Sequence, residues 1–381
     1  MQNRVEEIRS FLNHQDYSLA VRRMLDLCLD FGNHQLIARA IALSKTYRLH
    51  ENKKVSSLLP NAFLEQANFL LAELENTYPH SVIQQQKLLS AKNISKTYAK
   101  GNFSLQSINF ELKTSEVVGV VGENGNGKTT LLRCLAGQLA IDTGSITYTL
   151  LQNPDYYDVK NHVVFIPQRI PRWYGLLKDN LHFSASLAGL TGKENELMVE
   201  FMLERLNLSS YAHLTWNQIS SGYRTRFELA RILLQKPSLL ILDEPLANLD
   251  INAQQTILTD LWYIAKSESH PLGIILSSQQ LHEVEKVADS VLFIKQGACL
   301  FRTGDIAEIA VSNVIELETS AERNAIIQIL GEQVQVQFNG GFYTLTSSTL
   351  SSNEIILKLL EQNISINYFR DITKSTKRYF N

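Results

Sequence analysis

Cysteine is scarce in this 381-residue chain: Cys28, Cys134 and Cys299 lie far apart and form no CxxC pair. They read as ordinary reduced thiols of a cytosolic protein. Long hydrophobic runs are missing too. No apolar stretch approaches the ~18 residues of a membrane span. The N-terminus carries Arg4, Glu6 and Glu7 and lacks the apolar core of a signal peptide. Any membrane role therefore comes through a partner. Neither sign of charge dominates, with 36 basic against 38 acidic residues and a formal charge of −2. This gives no global electrostatic case for nucleic acid or membrane binding. What remains, 44% hydrophobic and 19% charged, is a globular composition. The length suits two or three domains.

Residues 1–87 hold no strand signal and no repeat strict enough for a solenoid. Val5, Ile8, Phe11 and Leu12 have helical spacing, as do Val21, Met24, Leu25 and Cys28, then Leu36, Ala40 and Leu43. Gly32 and Asn33 punctuate them. Residues 61–75 form another helix, with Pro60 at its start and Pro79 after its end. The segment reads as an all-α domain of four or five short helices, a packing or adaptor module. From Leu88 the period changes. Residues 88–95 and 103–112 alternate as strands around a Gly101-Asn102 turn. Four apolar runs follow, 117–121, 163–166, 239–242 and 274–276. Such runs suit a parallel sheet buried on both faces, with ligands beyond the carboxyl ends of its strands. Each run ends in a polar or glycine-rich segment. Residues 172–217 read as a helical insertion, and 291–294 with 299–302 as a hairpin. The order βαββαβ from about 313 predicts a ferredoxin-like layer. Lys374, Lys377 and Arg378 read as a solvated tail, against an anionic-surface contact. The domains are then 1–87, 88–308 and 309–381.

The run 117–121 leads into Gly122-Glu123-Asn124-Gly125-Asn126-Gly127-Lys128-Thr129, and Thr130 continues a helical pattern. This is the spacing of a phosphate-binding P-loop. Glycines let successive N–H groups face phosphate oxygens, and the helix N-terminus adds partial positive charge. Lys128 reaches the β and γ phosphates, and the Thr129 hydroxyl can ligate Mg²⁺. The run 239–242 ends in Asp243 and Glu244. Asp243 is placed to hold Mg²⁺ opposite Thr129, and Glu244 to orient or deprotonate the attacking water.

Residues 88–305 resemble the nucleotide-binding domain of an ATP-binding cassette (ABC) ATPase. The fold class is thus α/β, a P-loop NTPase of the ABC type with a helical insertion, preceded by the all-α domain and followed by the small α+β domain. Ile219-Ser220-Ser221-Gly222-Tyr223 stands where that family has its signature, and Ala247-Asn248-Leu249-Asp250 matches its D-loop. Gln168 matches the Q-loop glutamine, a further Mg²⁺ ligand, and Tyr98 the aromatic residue that stacks on adenine. The C-terminal part resembles the extension of ABC-2-type exporter ATPases. The resemblance implies an ATP-sandwiched dimer, of identical chains or two different ABC chains. Ser220 and Gly222 of one copy then cover the ATP on the P-loop of the other. It further implies ATP and Mg²⁺ as cofactors, separately encoded transmembrane subunits as partners, and a peripheral place on the cytoplasmic face of the membrane.

The sequence departs from the family's pattern in two places. Ser221 and Tyr223 replace the usual glycine and glutamine; a left-handed backbone at Ser221 would be strained. Gln279 replaces the switch histidine, which predicts slow hydrolysis, with Gln280 or His282 as alternative switch residues. Trp173 and Tyr174 have two readings, a groove for a partner's coupling helix or packing inside the insertion. For the whole chain, a transporter subunit, a soluble ABC ATPase acting as a mechanical switch, and a non-hydrolysing ATP-binding scaffold all stay open. No nucleic acid partner is expected.

Overall fold

The computed structural model describes residues 2–30, 33–52, 61–77, 85–98, 103–151, 154–247, 249–302 and 312–373. Gly32, Pro60, Pro79, the Gly101-Asn102 turn, Asn248 of the D-loop match, the 308/309 boundary and the basic residues of the tail lie outside them.

The N-terminal segment forms helices α1 (Gln2–Asn13), α2 (Tyr17–Asp30), α3 (His34–Asn52) and α4 (Asn61–Thr77). In α2, Ala20, Val21, Met24, Leu25, Leu27 and Cys28 are buried. Their spacing lines one side of the helix, which is what drives it to pack.

The cassette begins with an antiparallel pair, β1 (Lys87–Thr97) and β2 (Ser104–Lys113), and continues through β3 (Val117–Val121) and α5 (Lys128–Leu135). Next come β4 (Thr143–Tyr148), α6 (Tyr156–His162) and β5 (Val163–Ile166). The insertion supplies α7 (Leu177–Leu187) and α8 (Gly192–Arg205), then α9 (Ser221–Leu233) leads to β6 (Leu239–Leu242). After these, α10 (Ile251–Ala265), β7 (Gly273–Ser278), α11 (Leu281–Val284), β8 (Ser290–Lys295) and β9 (Ala298–Arg302) complete it. Strands β5-β6-β7-β3-β8-β9 make a six-stranded sheet, and β2-β1-β4 a second sheet. In the larger sheet only β9 pairs antiparallel. The four apolar runs are four adjacent strands of this sheet, β5-β6-β7-β3, with β5 at its edge and their carboxyl ends on one side.

The C-terminal unit runs β10 (Asn313–Thr319), α12 (Arg323–Leu330), β11 (Gln335–Asn339), β12 (Phe342–Ser347), α13 (Ser352–Glu361) and β13 (Ile366–Asp371). Its antiparallel order β11-β12-β10-β13 places the first strand between the third and fourth, as a ferredoxin-like layer requires. Ile315, Leu317, Ile326, Leu345, Ile355 and Leu359 form its own core.

The N-terminal helices share one hydrophobic core with the insertion and the larger sheet. The joint is also polar. Arg205, at the end of α8, donates from Nε to Asp26 Oδ1 and from Nη1 to Asp260 Oδ1, both at 2.6 Å. So α2, α8 and α10 meet on one buried guanidinium. Arg22 reaches Asp260 at 3.1 Å, and Tyr263 donates to Glu7 at 2.6 Å. Glu204 takes hydrogen bonds from Ser44 at 2.8 Å and contacts Arg48 at 2.7 Å. The guanidinium of Arg23 stacks 3.3 Å from the Tyr263 ring centroid. Burial alone raises the Asp26 carboxyl; Arg205 and Arg23 more than reverse this and hold it below its ordinary value.

Buried ions cost most when one partner is removed, because the other charge is left without compensation. Arg205→Ala should lower unfolding free energy by ~3–5 kcal/mol in urea. Arg9→Ala, which removes an exposed partner of Glu75, should cost under ~1 kcal/mol. Because the folded Asp26 value lies below the unfolded one, its contribution is present above pH ~4. It is lost as pH falls through the folded value. Asp26→Asn should flatten that part of a urea-midpoint titration.

Candidate nucleotide site

All five residues of β3 are buried, so the loop after it leaves from a fixed point. Gly127 begins the turn into α5 with φ +102°, and a Cβ there would come within 2.5 Å of the Phe103 ring. A Cβ on Gly122 would lie 2.3 Å from the Ile294 carbonyl oxygen. Glycine is required at Gly127 by backbone and by space, and at Gly122 by space. Asn126 ties the loop to the β8–β9 turn: its Oδ1 accepts from the Gln296 amide at 2.9 Å, and its carbonyl from the Gly297 amide at 3.0 Å. The loop curls around Lys128, which is only 4% exposed. Its Nζ donates to the carbonyls of Gly122 at 2.7 Å and Glu123 at 3.2 Å. Glu123, Asn124 and Gly125 are exposed at the rim. Tyr98, 37% exposed, stands beside α5 with its hydroxyl 3.3 Å from that of Thr130.

The ends of four strands converge on this loop. Thr129 Oγ1 donates to Asp243 Oδ2 at 2.8 Å, joining the helix after β3 to the end of β6. Glu244 comes within 3.3 Å of Lys128 Nζ. Gln168, beyond β5, and Gln279, beyond β7, both donate from Nε2 to Glu244 Oε2, at 2.8 and 3.0 Å. The switch-position glutamine is thus bonded to the carboxylate. A cavity of about 150 Å³ opens beside Glu244, Ser277, Gln279 and Glu283, room for a few waters. The Thr129 hydroxyl and Asp243 carboxylate offer hard oxygen donors of the kind Mg²⁺ takes beside nucleotide phosphates.

Other expected residues are placed differently. Ser220 is exposed as the residue preceding α9. Gly222 faces Leu249 and Ala253 at the start of α10. Ser221 is the first residue of α9. Its backbone is therefore right-handed, and the left-handed conformation that would be strained is not adopted. Tyr223 packs on Tyr211 with ring centroids 3.9 Å apart. Burial, reinforced by its hydrogen bond to Tyr211, pushes its phenol up to about 12. The two aromatic readings divide. Trp173 is buried, stacks on Trp216 at 5.0 Å and donates to Glu228 at 3.1 Å. Of its two readings the structure shows the second: the indole packs inside the insertion. Tyr174 is 79% exposed. His282 falls in α11; its side chain lies outside the described residues.

Sequence reasoning missed the role of Ser277, taken only as the polar end of a strand. A hydroxyl closing a fully apolar run was the available signal. Ser278, beside it, donates to Glu283 at 2.6 Å.

Comparison with known proteins agrees with this geometry. A family described as ABC transporter matches residues 105–247. The uncharacterized ABC transporter ATP-binding protein YxlF of Bacillus subtilis (strain 168) is 30% identical over 224 residues, 58% of this chain and 72% of its own length. The phosphonates import ATP-binding protein PhnC of Treponema denticola is 28% identical over 229 residues, 56% of this chain and 88% of its own. The structure of cbiO1 from Clostridium perfringens, part of the ABC transporter complex cbiONQ, overlays with a TM-score of 0.51. At 23% identity, over 58% of this chain and 91% of that one, this likeness is one of fold. Fold and site together define a P-loop protein of the ABC type. The chain belongs to the ABC transporter family of ATP-binding proteins.

Gly127→Ala should weaken ATP binding by about tenfold or more, since a left-handed Cβ costs ~1–2 kcal/mol before the clash is counted. Adding Phe103→Ala removes the clash but leaves the backbone strain, so binding of a fluorescent ATP analogue should recover only in part.

Proposed function

We propose that this chain is the ATP-binding and ATP-hydrolysing subunit of a membrane transporter, working through an ATP-sandwiched dimer. The observation that carries this reading is the convergence of Lys128, Thr129, Asp243, Glu244, Gln168 and Gln279 at one edge of the parallel sheet. Lys128 and the loop amides bind the phosphates, Tyr98 takes the adenine, and Thr129, Asp243 and Gln168 hold Mg²⁺. Phosphoryl transfer to water depends on positioning and charge stabilisation, which this set supplies. Glu244 orients the water. Ser220 and Gly222 act in trans on the ATP of a second copy or of a related ABC chain.

The transmembrane part belongs to separate subunits. Among the described residues no helix is long and apolar enough to cross a membrane. Tyr174, with Phe183 and Leu187 exposed on α7, supplies apolar anchors for such a partner on the cytoplasmic face. Export is favoured because the cassette is followed by a βαββαβ unit similar to the extension of ABC-2 exporters.

Gln279 offers a neutral amide where the family usually has a switch histidine. Without a charge-assisted contact, turnover is slow by roughly ten- to a hundredfold. Purified protein should hydrolyse ATP, Glu244→Gln should abolish turnover, and Gln279→His should raise it by that factor. An unchanged rate in Gln279→His would remove the switch argument. An integral membrane protein co-purifying with the tagged chain supports the transporter; recovery with soluble proteins alone supports a soluble switch. A wild type no faster than Glu244→Gln supports the scaffold.

A further inference from the structure

Ser277 is the fifth residue of β7 and is fully buried, as are Ile274, Ile275 and Leu276 before it. A hydroxyl among such neighbours is costly unless both its hydrogen-bonding roles are used. Both are used here, on two adjacent residues of one other strand end. The hydroxyl donates to Asp243 Oδ1 at 2.8 Å. It accepts from the backbone amide of Glu244 at 2.9 Å. Thr129 already occupies Asp243 Oδ2. Each oxygen of that carboxylate therefore has its own donor, and the plane of the group is set. Glu244 has φ +46°, a region that a non-glycine residue occupies only when its surroundings insist. Its amide is received by the Ser277 hydroxyl.

We infer that Ser277 is a positioning residue for ATP hydrolysis, its hydroxyl fixing the Asp243 carboxylate and the left-handed backbone of Glu244. This deepens the ATPase reading above and rests on it. Both of its hydrogen bonds go to the two acids, and it acts through them. Ser278 does a different job, receiving the Gln280 amide at 3.0 Å and bonding Glu283. The two serines are therefore not interchangeable.

The test compares Ser277→Ala, Ser277→Thr and the wild type in the full chain. Steady-state ATP turnover, binding of a fluorescent ATP analogue and hydrogen exchange of the Glu244 amide are measured. Ser277→Ala should lower kcat by roughly ten- to thirtyfold while the Kd for the analogue stays within about threefold. The Glu244 amide should exchange about tenfold faster. Ser277→Thr keeps the hydroxyl and should restore both kcat and protection. The inference is overturned if Ser277→Ala leaves kcat unchanged, if Glu244 exchange is unaltered, or if Ala and Thr variants are equally impaired. A wild type without turnover would defeat the ATPase reading instead. The Glu244 amide would then decide whether Ser277 holds it.

Discussion

The oxygen-to-oxygen chain from Thr129 through Asp243 to Ser277 holds the carboxyl edge of the sheet together. Three segments that are remote in sequence end within one run of short hydrogen bonds. None of the three groups is free to swing, because each is satisfied by the next. A cluster of this kind stores little conformational entropy at the moment of reaction. The order of the site is inherited from strands that are apolar on both faces and cannot shift register without exposing them.

Around that fixed edge, the flexible charges are handled by neutral groups. Gln168 and Gln279 place two amides on the same oxygen of Glu244. An amide donates a hydrogen bond without carrying a proton that titrates near neutral pH. The donors in this pairing thus keep their charge across the range in which an imidazole would change its own. Lys128, buried and wrapped by loop carbonyls, brings the nearest positive charge.

What was legible in the sequence was local. The P-loop declares itself because its glycines answer a backbone need within eight residues. The four adjacent strands β5, β6, β7 and β3 declare themselves by unbroken apolar runs. The βαββαβ order followed from turn residues and periods. Strand β4 was not foreseen because only Ile146 and Tyr148 alternate in it and its other residues are exposed. Helix α6 was passed over too; it is one short piece held by a capping box at Asp155. Trp173 was ambiguous because an aromatic ring reads alike in a core and on a surface; Trp216 and Glu228, which settle it, are distant in sequence. The attachment of the N-terminal helices was illegible for the same reason. Nothing near Asp26 announces Arg205.

That last pairing has a consequence for the making of the protein. Asp26 and Arg205 are 179 residues apart, and Arg22 and Asp260 are 238. At ~5–20 residues per second on the ribosome, α2 emerges roughly ten to fifty seconds before α8 and α10 exist to receive it. Through that interval its carboxylate and guanidinium groups stay in water, and its apolar stripe has only α1, α3 and α4 to cover it. Helix α2 thus reaches these partners late, and the nascent chain carries that unfinished surface until Asp260 has been made.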